Sequence, residues 1–104
     1  MTAKLTKYPV TSPSGAVYRV DVEEYHAITA YVSVRVFIDR GRKLFRWKCV
    51  NNADVAYWRM REKFGGDYIA FAKAAVLEYE EMLAQERKHI ESLRQFNEWD
   101  GVIR

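Results

Sequence analysis

Glu86 and His89 stand three residues apart in a run with helical periodicity. That spacing lets one helix offer a carboxylate and an imidazole to a metal ion. A carboxylate-bridged di-metal centre needs two such pairs and two further carboxylates, and this chain supplies one pair. Glu86 also falls on the apolar stripe of its helix, where a polar residue can set register instead. Cys49 is the single cysteine, and no histidine lies near it in sequence. It is expected inward beside Trp47 as a small hydrophobe rather than as a nucleophile. His26 falls in the turn expected between the second and third strands and reads as a surface histidine. Gly65-Gly66 lacks the flanking pattern of a phosphate loop. The carboxylates from Glu78 to Glu81 read as a solvated helix face. The expectation is a non-enzymatic protein with no metal and no cofactor.

Positive charge is the chemistry that remains. Residues 1–64 carry twelve Lys and Arg against six Asp and Glu, and residues 65–104 carry five against eight. A basic front half suits an anionic partner, or attraction between the two halves of the fold. Arg35, Arg40, Arg42, Lys43, Arg46 and Lys48 gather around one expected hairpin, interleaved with Tyr31 and Phe37. Cations with aromatics are the mix for phosphate contact plus base stacking. The alternative is that Asp21 and Glu23 neutralise the arginines from the neighbouring strand, and that long cationic stems cover Phe37 and Leu44. Tyr57-Trp58, flanked by Arg59, Arg61 and Lys63, and Trp99 are candidate interface anchors.

The elements that would position these residues follow from hydrophobic spacing. Thr11-Ser12-Pro13-Ser14-Gly15 is a turn between a first strand, about Leu5 to Val10, and a second, Ala16 to Glu24. In the second strand Tyr18, Val20 and Val22 face one way and Arg19, Asp21 and Glu23 the other. A third strand, from about Ile28 to Ile38, turns Val32, Val34, Val36 and Ile38 inward. Asp39 to Arg42 reads as a hairpin turn into a fourth strand, Lys43 to Val50, with Phe45, Trp47 and Cys49 inward. Inward residues are even-numbered in one strand and odd-numbered in the next, so facing pairs sum to an odd number. A two- or four-residue loop makes that sum 81, placing Arg35 opposite Arg46, Ser33 opposite Lys48 and Phe37 opposite Leu44. Residues 51–64 fit a helix capped by Asn51 or Asn52, or a strand, and the β propensity of Val55 to Trp58 favours the strand.

After the Gly65-Gly66 break, Asp67 caps a helix from about Tyr68 to Glu98, closed by Asp100-Gly101. Ile69, Ala72, Val76, Tyr79, Leu83, Ile90, Leu93 and Phe96 keep a 3-4 beat that Glu86 alone interrupts. At about 1.5 Å per residue this helix outreaches any strand: either it crosses the sheet diagonally, or Leu93, Phe96 and Trp99 project and make a homodimer contact. The fold class expected is α+β: an antiparallel sheet of four or five strands with one long C-terminal helix on one face. The inner layer is expected to set Tyr18, Val20, Val22, Val32, Val34, Val36, Phe45 and Trp47 against Ile69, Ala72, Val76, Tyr79 and Leu83.

A chain of 104 residues, 49% hydrophobic, fits one domain with a real core. One cysteine permits no intrachain disulfide, the N-terminus lacks an apolar signal core, and Tyr31 to Ile38 is too short to span a bilayer. A cytoplasmic protein without a membrane partner is expected.

Tyr8-Pro9-Val10 leads through the Pro/Ser/Gly turn to Val17-Tyr18-Arg19-Val20-Asp21. A hairpin follows, then a Gly-Asp-Tyr-opened helix carrying Ala75-x-x-x-Tyr79-Glu80. This layout resembles small uncharacterised proteins of bacteriophages and mobile elements of Gram-positive bacteria, over most of the chain. The resemblance implies an accessory protein that binds a host protein or ribonucleoprotein, and some such proteins inhibit defence systems such as CRISPR nucleases. It carries no functional residue across. The basic balance departs from inhibitors that mimic DNA by strong acidity.

Overall fold

The computed structural model describes residues 2–26 and 30–104. Four strands form an antiparallel meander in the order β1 (Thr2–Thr11), β2 (Val17–His26), β3 (Ala30–Asp39) and β4 (Trp47–Ala56). Two helices follow, α1 (Tyr57–Phe64) and α2 (Tyr68–Glu98). The architecture is α+β, with both helices on one face of the sheet and the other face open. The expected start of the third strand near Ile28, and the side chain of His26, lie outside the described residues.

Alternation decides which face is covered. Tyr18, Val20 and Val22 of β2 and Val32, Val34 and Val36 of β3 point to the helices and are buried. Met60 of α1 and Phe71, Ala75 and Val76 of α2 close on them. Fully burying a Val-sized side chain contributes roughly 1.5–3 kcal/mol, so these ten residues dominate the favourable side of folding. Gly65 and Gly66, both at positive φ, turn the chain between the helices, a conformation that glycine adopts without a Cβ penalty. Asp67 caps α2 as expected, accepting from the backbone N–H of Ile69 at 2.9 Å and of Ala70 at 3.3 Å.

The pairing of β3 with β4 differs from the sequence expectation. Facing pairs in the body of the ladder still sum to an odd number, but it is 87: Val32 faces Val55, Val34 faces Ala53 and Val36 faces Asn51. The hairpin is therefore not tight, and residues 40–46 form a seven-residue loop. β4 begins at Trp47 and runs to Ala56, so the strand reading of residues 51–64 holds only for the first six. A bulge then breaks the parity, because Phe37 faces Cys49. Its consequence is that Trp47 and Cys49 lie on the open face with Phe37, not in the core. Phe45 leaves the sheet altogether and is 81% exposed. The bulky apolar residues at the start of the fourth strand do not take the inward places expected of them. Instead Ala53 and Val55 fill that layer, and Asn51 donates to the Ala75 carbonyl of α2 at 2.9 Å.

On α2 the core contact is Phe71, Ala75 and Val76, with Ala72 and Tyr79 half-buried beside them. Ile69, expected inside, is exposed, and Leu83 is the last residue of the stripe with any cover. Tyr79 meets Tyr18 edge-on at 6.0 Å. The Tyr68 hydroxyl donates to Glu24 and pins the start of α2 to β2.

Glu80, expected to be solvated, anchors the first turn. Its Oε2 accepts from Ser12 Oγ at 2.8 Å, Ser14 Oγ at 2.7 Å and Tyr18 OH at 2.8 Å. The hydroxyls of Ser14, Ser12 and Tyr18 hold its pKa below the ordinary glutamate value. Burial, with the neighbouring carboxylate, pushes the Tyr18 phenol upward. A carboxylate with a depressed pKa adds stability above its unfolded pKa, about 4.3, and that stability is lost as pH falls through the folded value. Glu80→Ala is expected to cost about 1–2 kcal/mol near neutral pH. Urea titrations should show the midpoint falling while the m-value stays constant, and the deficit narrowing on acidification.

Candidate functional site

The open face of the sheet and the loop 40–46 carry the residues that the sequence marked for binding. The face is assembled by alternation: Arg19, Asp21, Glu23 and Tyr25 from β2, Tyr31, Ser33, Arg35 and Phe37 from β3. Cys49 and Trp47 join them across the bulge.

Much of this face is already satisfied within the chain. Arg19 donates to Asp21 through Nε at 3.0 Å and through its terminal nitrogen at 2.7 Å, and Thr6 Oγ1 adds a third bond at 2.9 Å. Burial of Asp21 opposes its ionisation. The hydrogen bonds from Arg19 and Thr6, with the charges of Arg19 and Lys4, outweigh that and hold its pKa below the ordinary value. The same guanidinium lies 4.8 Å over the Phe37 ring and 5.2 Å over Trp47. Tyr8 meets Trp47 edge-on at 5.1 Å, and Arg46 stacks on its ring at 4.9 Å. Tyr31 is stacked on Tyr25 at 4.5 Å. Tyr31 and Phe37 are therefore structural rings on this face, each with an internal partner.

The expected juxtaposition of Arg35 with Arg46 is not present. Arg35 faces Asp21 on one side and Asn52 on the other. Ser33 faces Glu23 and Asp54 instead of Lys48, and Phe37 faces Arg19 and Cys49 instead of Leu44. Lys48 is paired with Ile38, which belongs to the helix-facing layer, so it lies on the opposite side of the sheet from Arg35. Cys49 is exposed, with its thiol 3.5 Å from the Asn51 carbonyl.

What the structure gathers is the loop itself. Asp39 latches its neck: the carboxylate accepts from the Gly41 N–H at 2.7 Å and from Arg46 Nε at 3.0 Å. The Arg40 N–H closes the base on the Arg46 carbonyl at 2.7 Å. Arg46, then the Gly41 N–H, hold the Asp39 carboxyl below its ordinary pKa. Beyond the latch stand Arg40, Arg42 and Lys43, all exposed and without an ion pair among the described residues. Leu44 is 77% exposed beside Phe45, whose φ of 55° is a left-handed conformation that bulky residues rarely adopt. Such a conformation costs on the order of 1–3 kcal/mol and persists where the surroundings enforce it. One braced loop thus carries three open cations and two bare apolar side chains. Sequence reasoning found the cations but assigned Phe45 to the core. Phe45 is outside because the hairpin loop spans all of residues 40–46, a length that no residue type in it announces.

Glu86 and His89 lie on the projecting part of α2, where every residue is exposed. Among the described residues no three His, Cys, Asp or Glu side chains converge as metal ligands. Among the described residues no helix is long and apolar enough to cross a membrane.

Comparison with known proteins finds a prophage-derived relative. The chain is 32% identical over 105 residues to an SPbeta prophage-derived uncharacterized protein, YoqB, of Bacillus subtilis strain 168, covering 93% of each chain. The chain belongs to the YoqB family. Its relationship to a prophage protein matches the context drawn from the strand-turn-strand layout and the Gly-Asp-Tyr helix start. No family model matches this YoqB-family chain, and no solved structure matches it.

Proposed function

We propose that this YoqB-family chain is a non-catalytic phage accessory protein that acts in the host cytoplasm by binding a host protein or ribonucleoprotein and blocking it. The latched loop 40–46 is the contact. The observation that carries the reading is Phe45, almost wholly exposed in a left-handed conformation beside Leu44 and three open cations. Aromatic and arginine side chains are the usual anchors of protein interfaces. A loop that holds an aromatic side chain out in water at a conformational cost is preorganised for a partner that covers it. An anti-defence target such as a CRISPR nuclease is the specific form that the phage context favours.

Direct nucleic-acid binding is the second reading, favoured by the open charges of Arg40, Arg42 and Lys43. The sheet offers it little, because Tyr31 and Phe37 are already stacked or covered. Affinity purification from a Gram-positive host lysate should enrich one protein or ribonucleoprotein with the wild-type chain and not with Phe45→Ser. Equal recovery with both baits would remove the loop as the contact. A gel shift with single- and double-stranded DNA and RNA separates the two readings. Nucleic-acid binding by the isolated chain, weakening steeply with salt, would favour the second.

A further inference from the structure

Helix α2 changes character at Leu83. Before it the helix packs on the sheet, and from Ala84 to Glu98 every residue is exposed. The apolar spacing nevertheless continues through Ile90, Leu93 and Phe96, and the Phe96 ring meets Trp99 at 5.8 Å. The projecting half gives the molecule its 63 Å long axis. Such a length of helix without tertiary contacts is marginal in water. The local pairs of Arg94 with Glu91 and Glu98 add little to that.

We propose that residues 84–99 pair with the same segment of a second copy, antiparallel about a two-fold axis. The proposal is independent of the loop reading above. The exposed parts of Ile90, Leu93, Phe96 and Trp99 amount to on the order of 500 Å² per copy, below the roughly 800 Å² per partner of a standard interface and in the range of a smaller, weaker one. A two-fold contact uses one patch on both copies and closes on itself, which a single projecting helix satisfies.

The sheet fixes the register. From Ala72 to Leu83 the stripe is buried or half-buried by the chain's own fold, so the second helix can advance only until its C-cap, Trp99, meets that edge. Overlaying 84–99 on its own reverse centres the pair between Glu91 and Ser92. Ile90 of one copy then faces Leu93 of the other, twice, at the centre. Glu86, the polar interruption of the stripe, faces Asn97. Polar therefore meets polar where the apolar beat fails, which gives the Glu86 anomaly a register-setting role.

Sedimentation velocity and light scattering on the full chain should give a dimer at micromolar concentration. Ile90→Glu with Leu93→Glu should give a folded monomer, since both side chains lie outside the core. Spin labels in a Cys49→Ser background report orientation. Labels at Ser92 should lie nearly level along the axis, and labels at Ala84 about 20 Å further apart along it. A wild-type monomer at high concentration overturns the proposal, whether or not the helix then binds vesicles or another protein. A dimer that survives the double substitution, or equal label separations at both sites, overturns it too.

Discussion

Arg19→Met is expected to lower the free energy of unfolding by about 2–3 kcal/mol, and the melting temperature by roughly 10–20 °C. The cause is what it leaves behind. Asp21 is 4% exposed and would lose both charge-assisted bonds from the guanidinium, keeping only the Thr6 hydroxyl. An unpartnered carboxylate in that position pays its desolvation without compensation. Phe37 and Trp47 would also lose the cation that covers them. Removing both partners, in Arg19→Met with Asp21→Leu, should recover most of the loss, because two apolar groups need no mutual satisfaction.

The pH response should weaken with the single substitution. In the wild type the depressed Asp21 pKa gives stability above its unfolded value near 4, lost as pH falls through the folded value. Without Arg19 only Thr6 and Lys4 still oppose the effect of burial on that pKa, so the variant should lose less stability on acidification than the wild type does. Urea titrations of the wild type and the two variants at two pH values test both statements. A single variant within about 0.5 kcal/mol of wild type, the range of ordinary surface changes, would show that the pair contributes nothing to the sheet.

Arg42→Glu with Lys43→Glu should reduce affinity for the partner recovered by the wild-type chain by about 100-fold or more, without changing stability. Both side chains lie outside the Asp39–Arg46 latch and have no ion pair among the described residues, so the fold loses nothing with them. Reversal both removes attraction and adds repulsion against an anionic patch, and the loss should fall mainly in the association rate and shrink with added salt. If the partner is nucleic acid, the slope of log affinity against log salt should flatten by about 0.9 for each lost phosphate contact on a duplex. Phe45→Ser separates charge from apolar contact: it should speed dissociation while leaving the salt dependence intact. Charge-reversed protein that binds as tightly as wild type would move the contact away from the loop.

The antiparallel sheet, the covered face of β2 and β3, the Asp67 cap and the long helix were legible in the sequence, because each rests on local spacing. Val32, Val34 and Val36 can share a face only in a strand, and Ala72, Val76 and Tyr79 can share one only in a helix. That pattern also made α2 longer than any strand, but a diagonal crossing was equally open, and the structure decided that the helix outruns the sheet. The loop, the buried pair and the Glu80 anchor were decided by tertiary structure. Whether Trp47 points in or out depends on one bulge near Val50, whose small cost is offset by Arg19 and Tyr8 from strands far away in the chain. Glu80 looks like any solvated carboxylate until the turn at Ser12 and Ser14 folds onto it, 66 to 68 residues distant. Periodicity is set by the backbone of a single element, whereas the partner of a polar side chain is set by which elements meet, and only the folded chain fixes that.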